Sequence, residues 1–160
     1  MATYQPLGSQ APWRQLTVDA SDWQQADPAL LATMLTQLHW IRAFEEAVLD
    51  LAAAGLVHGP AHSSVGQEGG AVGSVLALGA GDQINGSHRG HHQFLAKALQ
   101  HVAPLGLDPR HPLTPAIDEV LHKTLAEIMG LAQGYCRGRG GSMHPVSYTH
   151  LRAHETGRNL

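Results

Sequence analysis

Residues 61 to 99 hold most of the side chains that could do chemistry, and Arg89 is the foremost of them. It lies among three histidines, His88, His91 and His92, at the start of a predicted helix. An arginine guanidinium presents paired N–H donors that match the oxygens of a phosphate or carboxylate, and a helix N-terminus adds backbone donors beside it. For a lone arginine a solvated surface position is the commoner case, so the residues by themselves leave both an anion-binding site and a surface arginine open.

The three histidines also have the i, i+3 and i+4 spacing that can place zinc ligands on one side of a helix. However, no cysteine or carboxylate stands at a spacing that would complete a tetrahedral set nearby. We therefore assign no metal ligands and interpret the histidines as hydrogen-bonding residues of a polar site wall. Ser63 and Ser64 adjoin His62, but no Gly-x-Ser-x-Gly motif surrounds them, so serine nucleophile chemistry is poorly supported.

A short glycine-rich helix is predicted just before this cluster. Ser64 and Gln67 have the Ser-x-x-Gln spacing of a capping box, which predicts a helix start near Gly66. Each interior glycine costs about 1 kcal/mol relative to alanine, so the glycines predict that another backbone or a ligand lies very close. The elements expected next are a turn over residues 79–82, an extended piece over 83–86 and a helix to about Gln100.

The longest predicted helix precedes the glycine-rich one. Asp27 and Pro28 combine an N-cap with a proline at the first helical position, and Gly55 is a stop signal. Arg42, Glu45 and Glu46 are interpreted as members of surface ion pairs. Apolar residues at spacings of three and four form a stripe for a core or an interface, namely Leu31, Met34, Leu38, Ile41, Phe44, Val48 and Leu51.

Proline and glycine divide the rest of the chain. Residues 103–115 contain four prolines and are predicted to form a loop. Thr114 and Pro115 then start a helix that should reach about Leu131. Residues 134–141 are predicted to form a glycine-rich loop whose backbone amides could approach a cofactor or an anion. Residues 1–27 are polar and contain prolines, so we expect an irregular arm.

Composition narrows the possible classes of protein. The chain has 160 residues, of which 43% are hydrophobic and 14% charged, as for a globular core. Ten Lys and Arg residues without a basic run argue against nucleic acid or an anionic membrane as partner. A single cysteine, Cys136, excludes an internal disulfide framework. No secretory leader and no apolar run of about 18 residues occur, so a cytoplasmic location is expected.

Three ordered motifs between about Leu30 and His144 resemble the alpha subunits of thiamine-diphosphate-dependent 2-oxo-acid dehydrogenases of the pyruvate, branched-chain and acetoin type. The first comprises His62, Gly66-Gln67-Glu68, Gly81-Asp82 and His88-Arg89-Gly90-His91. The second is Gly138-Arg139-Gly140-Gly141-Ser142-Met143-His144, which is similar to the family's glycine-rich loop. The third and weakest is the segment from Ile41 to Glu46.

The resemblance implies roles for individual residues. Arg89 would hold the cofactor diphosphate, and His88 stands where many relatives have a tyrosine that also touches it. His62 would lie near the cofactor in the active-site channel, as the catalytic residue of this chain. Ser142 and His144 would complete the cofactor-binding set.

The resemblance also implies a fold and its limits. It indicates an α/β thiamine-diphosphate-binding fold, with residues 28–144 as the mostly helical N-terminal part of that domain. It ends after His144, and residues 145–160 are expected to be a non-native tail. Nine Val and four Ile, scattered along the chain, are too few for a doubly wound domain, so most of the parallel sheet should be absent. Gln67 and Glu68 would order the helix and subunit contacts.

The implied activity of the complete enzyme is decarboxylation of a 2-oxo acid on thiamine diphosphate with Mg²⁺, and transfer of the acyl group to a lipoyl acyltransferase. A beta subunit or beta domain would be a partner, the complete enzyme would be an oligomer, and the chain alone would be inactive. The magnesium ligands would lie in a segment that this sequence lacks. Two alternatives stay open, a thiamine-diphosphate enzyme of transketolase type and a non-catalytic helical interaction module.

Overall fold

The computed structural model describes residues 3–6, 14–79, 81–104, 106 and 108–143. These residues divide between two compact units, with the boundary between Ala32 and Thr33. Within them lie two strands and five helices, namely β1 (Thr3–Pro6), β2 (Arg14–Thr17), α1 (Ala20–Gln25), α2 (Pro28–Ala53), α3 (Glu68–Val75), α4 (His91–Val102) and α5 (Pro115–Ile128).

The first unit is more regular than the sequence predicted. Strands β1 and β2 pair antiparallel, with Tyr4 opposite Leu16, and the Arg14 guanidinium lies 5.0 Å from the centre of the Tyr4 ring. Helix α1 begins at a capping box made by Asp19 and Asp22. The expectation of an irregular arm is therefore wrong for these segments, because cross-strand pairs and an acidic cap order a sequence that is polar overall.

Helix α2 begins and ends where the sequence predicted. The Asp27 carboxylate accepts a hydrogen bond from the Ala29 N–H at 2.9 Å, and Pro28 is the first helical residue. Gly55 adopts φ +74°, a left-handed conformation that glycine allows at a helix end. The middle of the predicted apolar stripe, Ile41 and Val48 above all, is fully buried.

Helix α3 does not begin with the predicted capping box. It starts at Glu68, and Gln67 makes no side-chain cap, while the Ser64 hydroxyl is buried without a partner in the described part of the chain. Instead, both carboxylate oxygens of Glu68 lie 3.0 Å from the Gly66 nitrogen and accept its N–H. A charged acceptor from the first turn has replaced the neutral serine–glutamine pair.

The glycines of α3 face open space. A Cβ atom added at Gly69, Gly70 or Gly73 would meet nothing within 4 Å. The predicted close approach of a backbone or ligand is therefore not made by any described residue. The turn predicted at the end of this helix is present, since the Asp82 carboxylate accepts the Gly79 N–H at 2.8 Å. Residues 83–86 form no strand, and only Ile84 makes an isolated bridge.

Helix α4 is the most buried element of the second unit. It packs against both α3 and α5. Its residues from Phe94 to Leu99 are all buried, and Leu95 and Leu99 are completely so. The Lys97 ammonium donates to the Gly79 carbonyl at 2.8 Å, which satisfies an acceptor beyond the end of α3.

Helix α5 starts as predicted, with the Thr114 hydroxyl accepting the Ile117 N–H at 3.4 Å, but it ends at Ile128 rather than Leu131. Gly130, at φ +74°, follows the end of this helix. The described residues are thus mostly helical, and the sheet among them is the two-stranded antiparallel one. No helix in the described ranges is long and apolar enough to cross a membrane. His144 and residues 145–160 lie outside the described residues.

Candidate functional site

His62, His88 and Arg89 form one cluster, which we call the anion cluster. The ring centres of His62 and His88 are 5.8 Å apart, although the two residues are far apart in sequence. The Arg89 guanidinium donates a hydrogen bond from Nη1 to the Ser63 carbonyl oxygen at 2.7 Å. The structure therefore brings together three of the five predicted site residues.

Ser142 reaches the same place from the glycine-rich loop. Its hydroxyl oxygen accepts the backbone N–H of His62 at 3.4 Å, and the residue is 4% exposed. Ser142 is thus next to the anion cluster, but it is buried. The fifth predicted residue, His144, lies outside the described residues.

The anion cluster lies at the N-terminus of α4. The N-cap of this helix is Gly90, which has no side chain to cap the first turn. A Cβ at Gly90 would lie 3.0 Å from the Ser87 carbonyl oxygen, so a larger residue is disfavoured in this tight turn. The partial positive charge of a helix N-terminus adds to that of the Arg89 guanidinium. The site is electrostatically suited to an anion.

Glu45 makes hydrogen bonds to residues next to the anion cluster. The prediction that it belongs to a surface ion pair is wrong. The side chain is completely buried. Its Oε2 accepts the Ser64 N–H at 3.0 Å and the Ser63 hydroxyl at 3.2 Å, and its Oε1 lies 3.0 Å from His91 Nδ1. Burial alone would raise the pKa of the Glu45 carboxyl, but hydrogen bonds and the charge of His91 hold that pKa below its ordinary value.

Arg42 also pairs differently from the prediction. Its partner is Glu68 of α3, with Nε to Oε1 at 2.6 Å and Nη2 to Oε2 at 3.1 Å. This bidentate fork lowers the pKa of the Glu68 carboxyl to about 2, against the opposing effect of burial. Glu68 thereby links α2 to the start of α3, which agrees with its predicted role in ordering that helix.

A buried carboxylate accepts hydrogen bonds from the glycine-rich loop, and we call it the internal anion of the loop. The sequence analysis did not predict it. The completely buried Glu127 carboxylate accepts backbone N–H groups of Cys136, Gly138 and Gly140 at 2.7, 3.0 and 2.7 Å. Three of the amides that were expected to approach a cofactor are therefore already occupied by a protein group. The available signal was a carboxylate at the end of a helix that leads directly into a glycine-rich segment.

Several polar groups of this region are already engaged by other groups of the protein. The Ser63 hydroxyl donates to Glu45. Both ring nitrogens of His91 contact protein oxygens. Among the described residues there is no group of three or more His, Cys, Asp or Glu side chains that could hold a metal ion.

The chain is similar to three curated bacterial proteins in particular. It is 39% identical over 104 residues to the alpha subunit of acetoin:2,6-dichlorophenolindophenol oxidoreductase from Bacillus subtilis, a match that covers 65% of this chain and 25% of that protein. It is 32% identical over 118 residues to the Cupriavidus necator protein of the same name, covering 74% and 29% of the two chains. It is 34% identical over 126 residues to the pyruvate dehydrogenase E1 component subunit alpha of Zymomonas mobilis, covering 78% and 30%.

These matches differ greatly in how much of each chain they cover. The chain spans between 25% and 30% of the length of these relatives. No protein-family model matches it, and no solved structure does. The resemblance to the alpha subunits of acetoin and pyruvate dehydrogenases, which the three motifs predicted, is thus confirmed over about two thirds to three quarters of this chain.

Proposed function

We propose that this chain carries a diphosphate anchor of a thiamine-diphosphate-dependent 2-oxo-acid dehydrogenase. The observation that carries the proposal is that Arg89, directly before the N-cap of α4, donates from its guanidinium to Ser63, while the rings of the adjacent residues His62 and His88 lie 5.8 Å apart. The relatives' names supply the reaction class, since they are alpha subunits of acetoin and pyruvate dehydrogenases.

The residues present fit a diphosphate group. Arg89 is exposed, and its guanidinium donates one N–H to the Ser63 carbonyl oxygen, while the other guanidinium N–H groups have no partner among the described residues. A diphosphate oxygen pair would accept from that free edge of the fork. His88 can donate a hydrogen bond from the position expected of a tyrosine. His62 would lie near the reacting part of the cofactor.

When bound, thiamine diphosphate supplies the carbon nucleophile and the electron sink for decarboxylation. Arg89 would bind and orient the diphosphate group, and the buried Ser142 holds the backbone of His62 in place. The described residues offer no cluster that fits Mg²⁺, so we assign that ion no ligand here. We include a beta subunit or beta domain and a lipoyl acyltransferase among the partners, because the relatives are named as alpha subunits of such enzymes.

Binding of the diphosphate group tests the proposal directly. Inorganic pyrophosphate and thiamine diphosphate would be titrated by calorimetry into the wild-type chain and into Arg89→Ala. A charge-assisted hydrogen bond is worth about 1.5–3 kcal/mol, so the variant should bind about tenfold or more weakly. Arg110→Ala is the matched control, because Arg110 is also exposed but pairs with Asp108 in the proline-rich loop.

The proposal fails if Arg89→Ala binds both ligands as tightly as Arg110→Ala does. It also fails if the wild-type chain takes up neither ligand while the Ser142 and His62 resonances show a folded site. A complete enzyme carrying Arg89→Ala should need a correspondingly higher concentration of thiamine diphosphate for half-maximal activity.

A further inference from the structure

His91, the first residue of α4, lies between two hydrogen-bond acceptors. Its Nδ1 is 3.0 Å from the Glu45 carboxylate, and its Nε2 is 2.5 Å from the Ser142 carbonyl oxygen. An ionised carboxylate and a carbonyl accept hydrogen bonds but donate none. Against the opposing effect of burial, the pKa of the Glu45 carboxyl is held below its ordinary value by its hydrogen bonds, so this carboxylate is ionised. Both contacts are then hydrogen bonds only if both ring nitrogens carry a proton, which makes the ring an imidazolium.

The neutral ring fits the same distances less well. The Ser142 hydroxyl lies 3.3 Å from Nε2 and could donate to an unprotonated nitrogen. In that case the Nε2 lone pair would face the Ser142 carbonyl oxygen at 2.5 Å, where two electron-rich atoms repel. The doubly protonated ring removes this conflict and leaves the hydroxyl oxygen to accept the His62 N–H.

The pair connects every segment that carries the anion cluster. Glu45 belongs to α2 and accepts from Ser63 and Ser64, the residues directly after His62. His91 follows Arg89 by two residues and reaches the loop of Ser142. Both side chains are completely buried, so the contacts are shielded from water and from salt. His92 and Glu68 are the other titratable groups whose charges act on this region.

We propose that Glu45 and a doubly protonated His91 form a buried ion pair, which we call the positioning couple of the anion cluster. The couple holds together the segment after His62, the start of α4 and the segment of Ser142, so that His62, His88 and Arg89 face one anion. The role of the couple in anion binding rests on the function proposed above. Its role in holding the segments does not. Removing one partner of a buried ion pair leaves an uncompensated charge, so the segments should loosen when either charge is lost.

Glu45→Gln is the central variant, and Glu46→Gln is its matched control. Glu46 is the next residue of the same helix and is exposed, so its substitution removes the same charge without touching the couple. Glu45→Asp keeps the charge and serves as the conservative variant in case Glu45→Gln does not fold. His91→Gln identifies the His91 resonances by their loss.

The first measurement is the protonation of the His91 ring, by nitrogen–proton correlation spectra of the full chain labelled with ¹⁵N-histidine. Wild type, Glu46→Gln and Glu45→Asp should show two protonated ring nitrogens for His91 at pH 7.5. Glu45→Gln should show one. A merely structural contact would not change this signature between the two glutamine variants. A singly protonated His91 in the wild-type chain would overturn the proposal.

The second measurement is hydrogen exchange of the Ser64 and His62 amides, which donate to Glu45 and Ser142. Exchange in Glu45→Gln should be at least tenfold faster than in Glu46→Gln, and Glu45→Asp should restore part of the protection. Equal rates in the two glutamine variants would overturn the proposal, and this readout requires no ligand.

The third measurement is titration with inorganic pyrophosphate, followed on the His62 and His88 rings. Glu46→Gln should bind as the wild type does, and Glu45→Gln at least tenfold more weakly. Equal binding by the two variants overturns the positioning role. If the wild type itself binds no pyrophosphate, the proposed function fails, and the exchange rates and ring protonation still decide whether the couple holds the segments.

Discussion

Glu127→Gln tests whether one buried carboxylate organises the glycine-rich loop. The wild-type side chain accepts three backbone N–H groups, two at Oε2 and one at Oε1. Glutamine keeps a single acceptor oxygen and turns an amide NH₂ toward at least one of these donors. The variant therefore breaks one hydrogen bond outright and weakens the others.

The magnitude follows from those contacts. An unsatisfied buried donor costs about 1–3 kcal/mol, and each remaining bond loses about 1 kcal/mol when its acceptor is no longer charged. The smaller cost of burying a neutral amide offsets part of this loss. We expect the free energy of unfolding to fall by about 2–4 kcal/mol, which lowers Tm on the order of 5–15 °C for a chain of this size.

Urea denaturation and amide exchange of Gly138 and Gly140 would measure the effect. Glu119→Gln is the control, because Glu119 lies on the same helix and pairs with Lys123 at the surface. Water and salt screen that exposed i, i+4 pair, so its loss should change the stability little. Equal stability and equal Gly138 and Gly140 exchange in the two variants would refute the assignment of Glu127 as the internal anion of the loop.

Two further predictions concern helix starts and glycines. The pKa of the Glu68 carboxyl is lowered from 4.5 to about 2, so the stability that Glu68 contributes is present above pH 4.5 and is lost as the pH falls toward 2. The thermal unfolding of Glu68→Gln across this window should therefore depend less on pH than that of the wild type. Parallel curves of Tm against pH for the two proteins would contradict the pairing with Arg42. Gly138→Ala should destabilise the chain by about 2 kcal/mol or more, since its φ is +72° and a Cβ would overlap the Gly130 backbone. Gly69→Ala, in open space, should instead stabilise by up to about 1 kcal/mol, and chemical denaturation of the two variants would disprove the description of these sites if the order were reversed.

Features that depend on neighbouring residues, such as helix starts and stops, were predictable from the sequence. The Asp27-Pro28 start and the Gly55 stop of α2 depend on residues within one helical turn of the boundary, and so does the Thr114-Pro115 start of α5. The position of Arg89 just before a helix was equally local. The similarity to acetoin and pyruvate dehydrogenase alpha subunits was also recognisable from the sequence, because it depends on the order and spacing of motifs rather than on burial.

Tertiary structure decided which charges are internal. Glu45 and Glu46 are neighbours on one helix, and their residue type is identical, yet Glu45 is buried against His91 while Glu46 is exposed. The capping box at Ser64 failed for the same reason, since Glu68 and the distant Arg42 supplied a stronger charged pair at that helix start. Capping and turn rules act over three or four residues, whereas burial of a carboxylate is determined by donors that packing brings from tens of residues away. The sequence by itself therefore predicted where α2 begins and ends, where α5 begins and that Arg89 precedes a helix, because those features depend on neighbouring residues. Only the packing of α2, α4 and the glycine-rich loop decided which carboxylates are buried beside these residues.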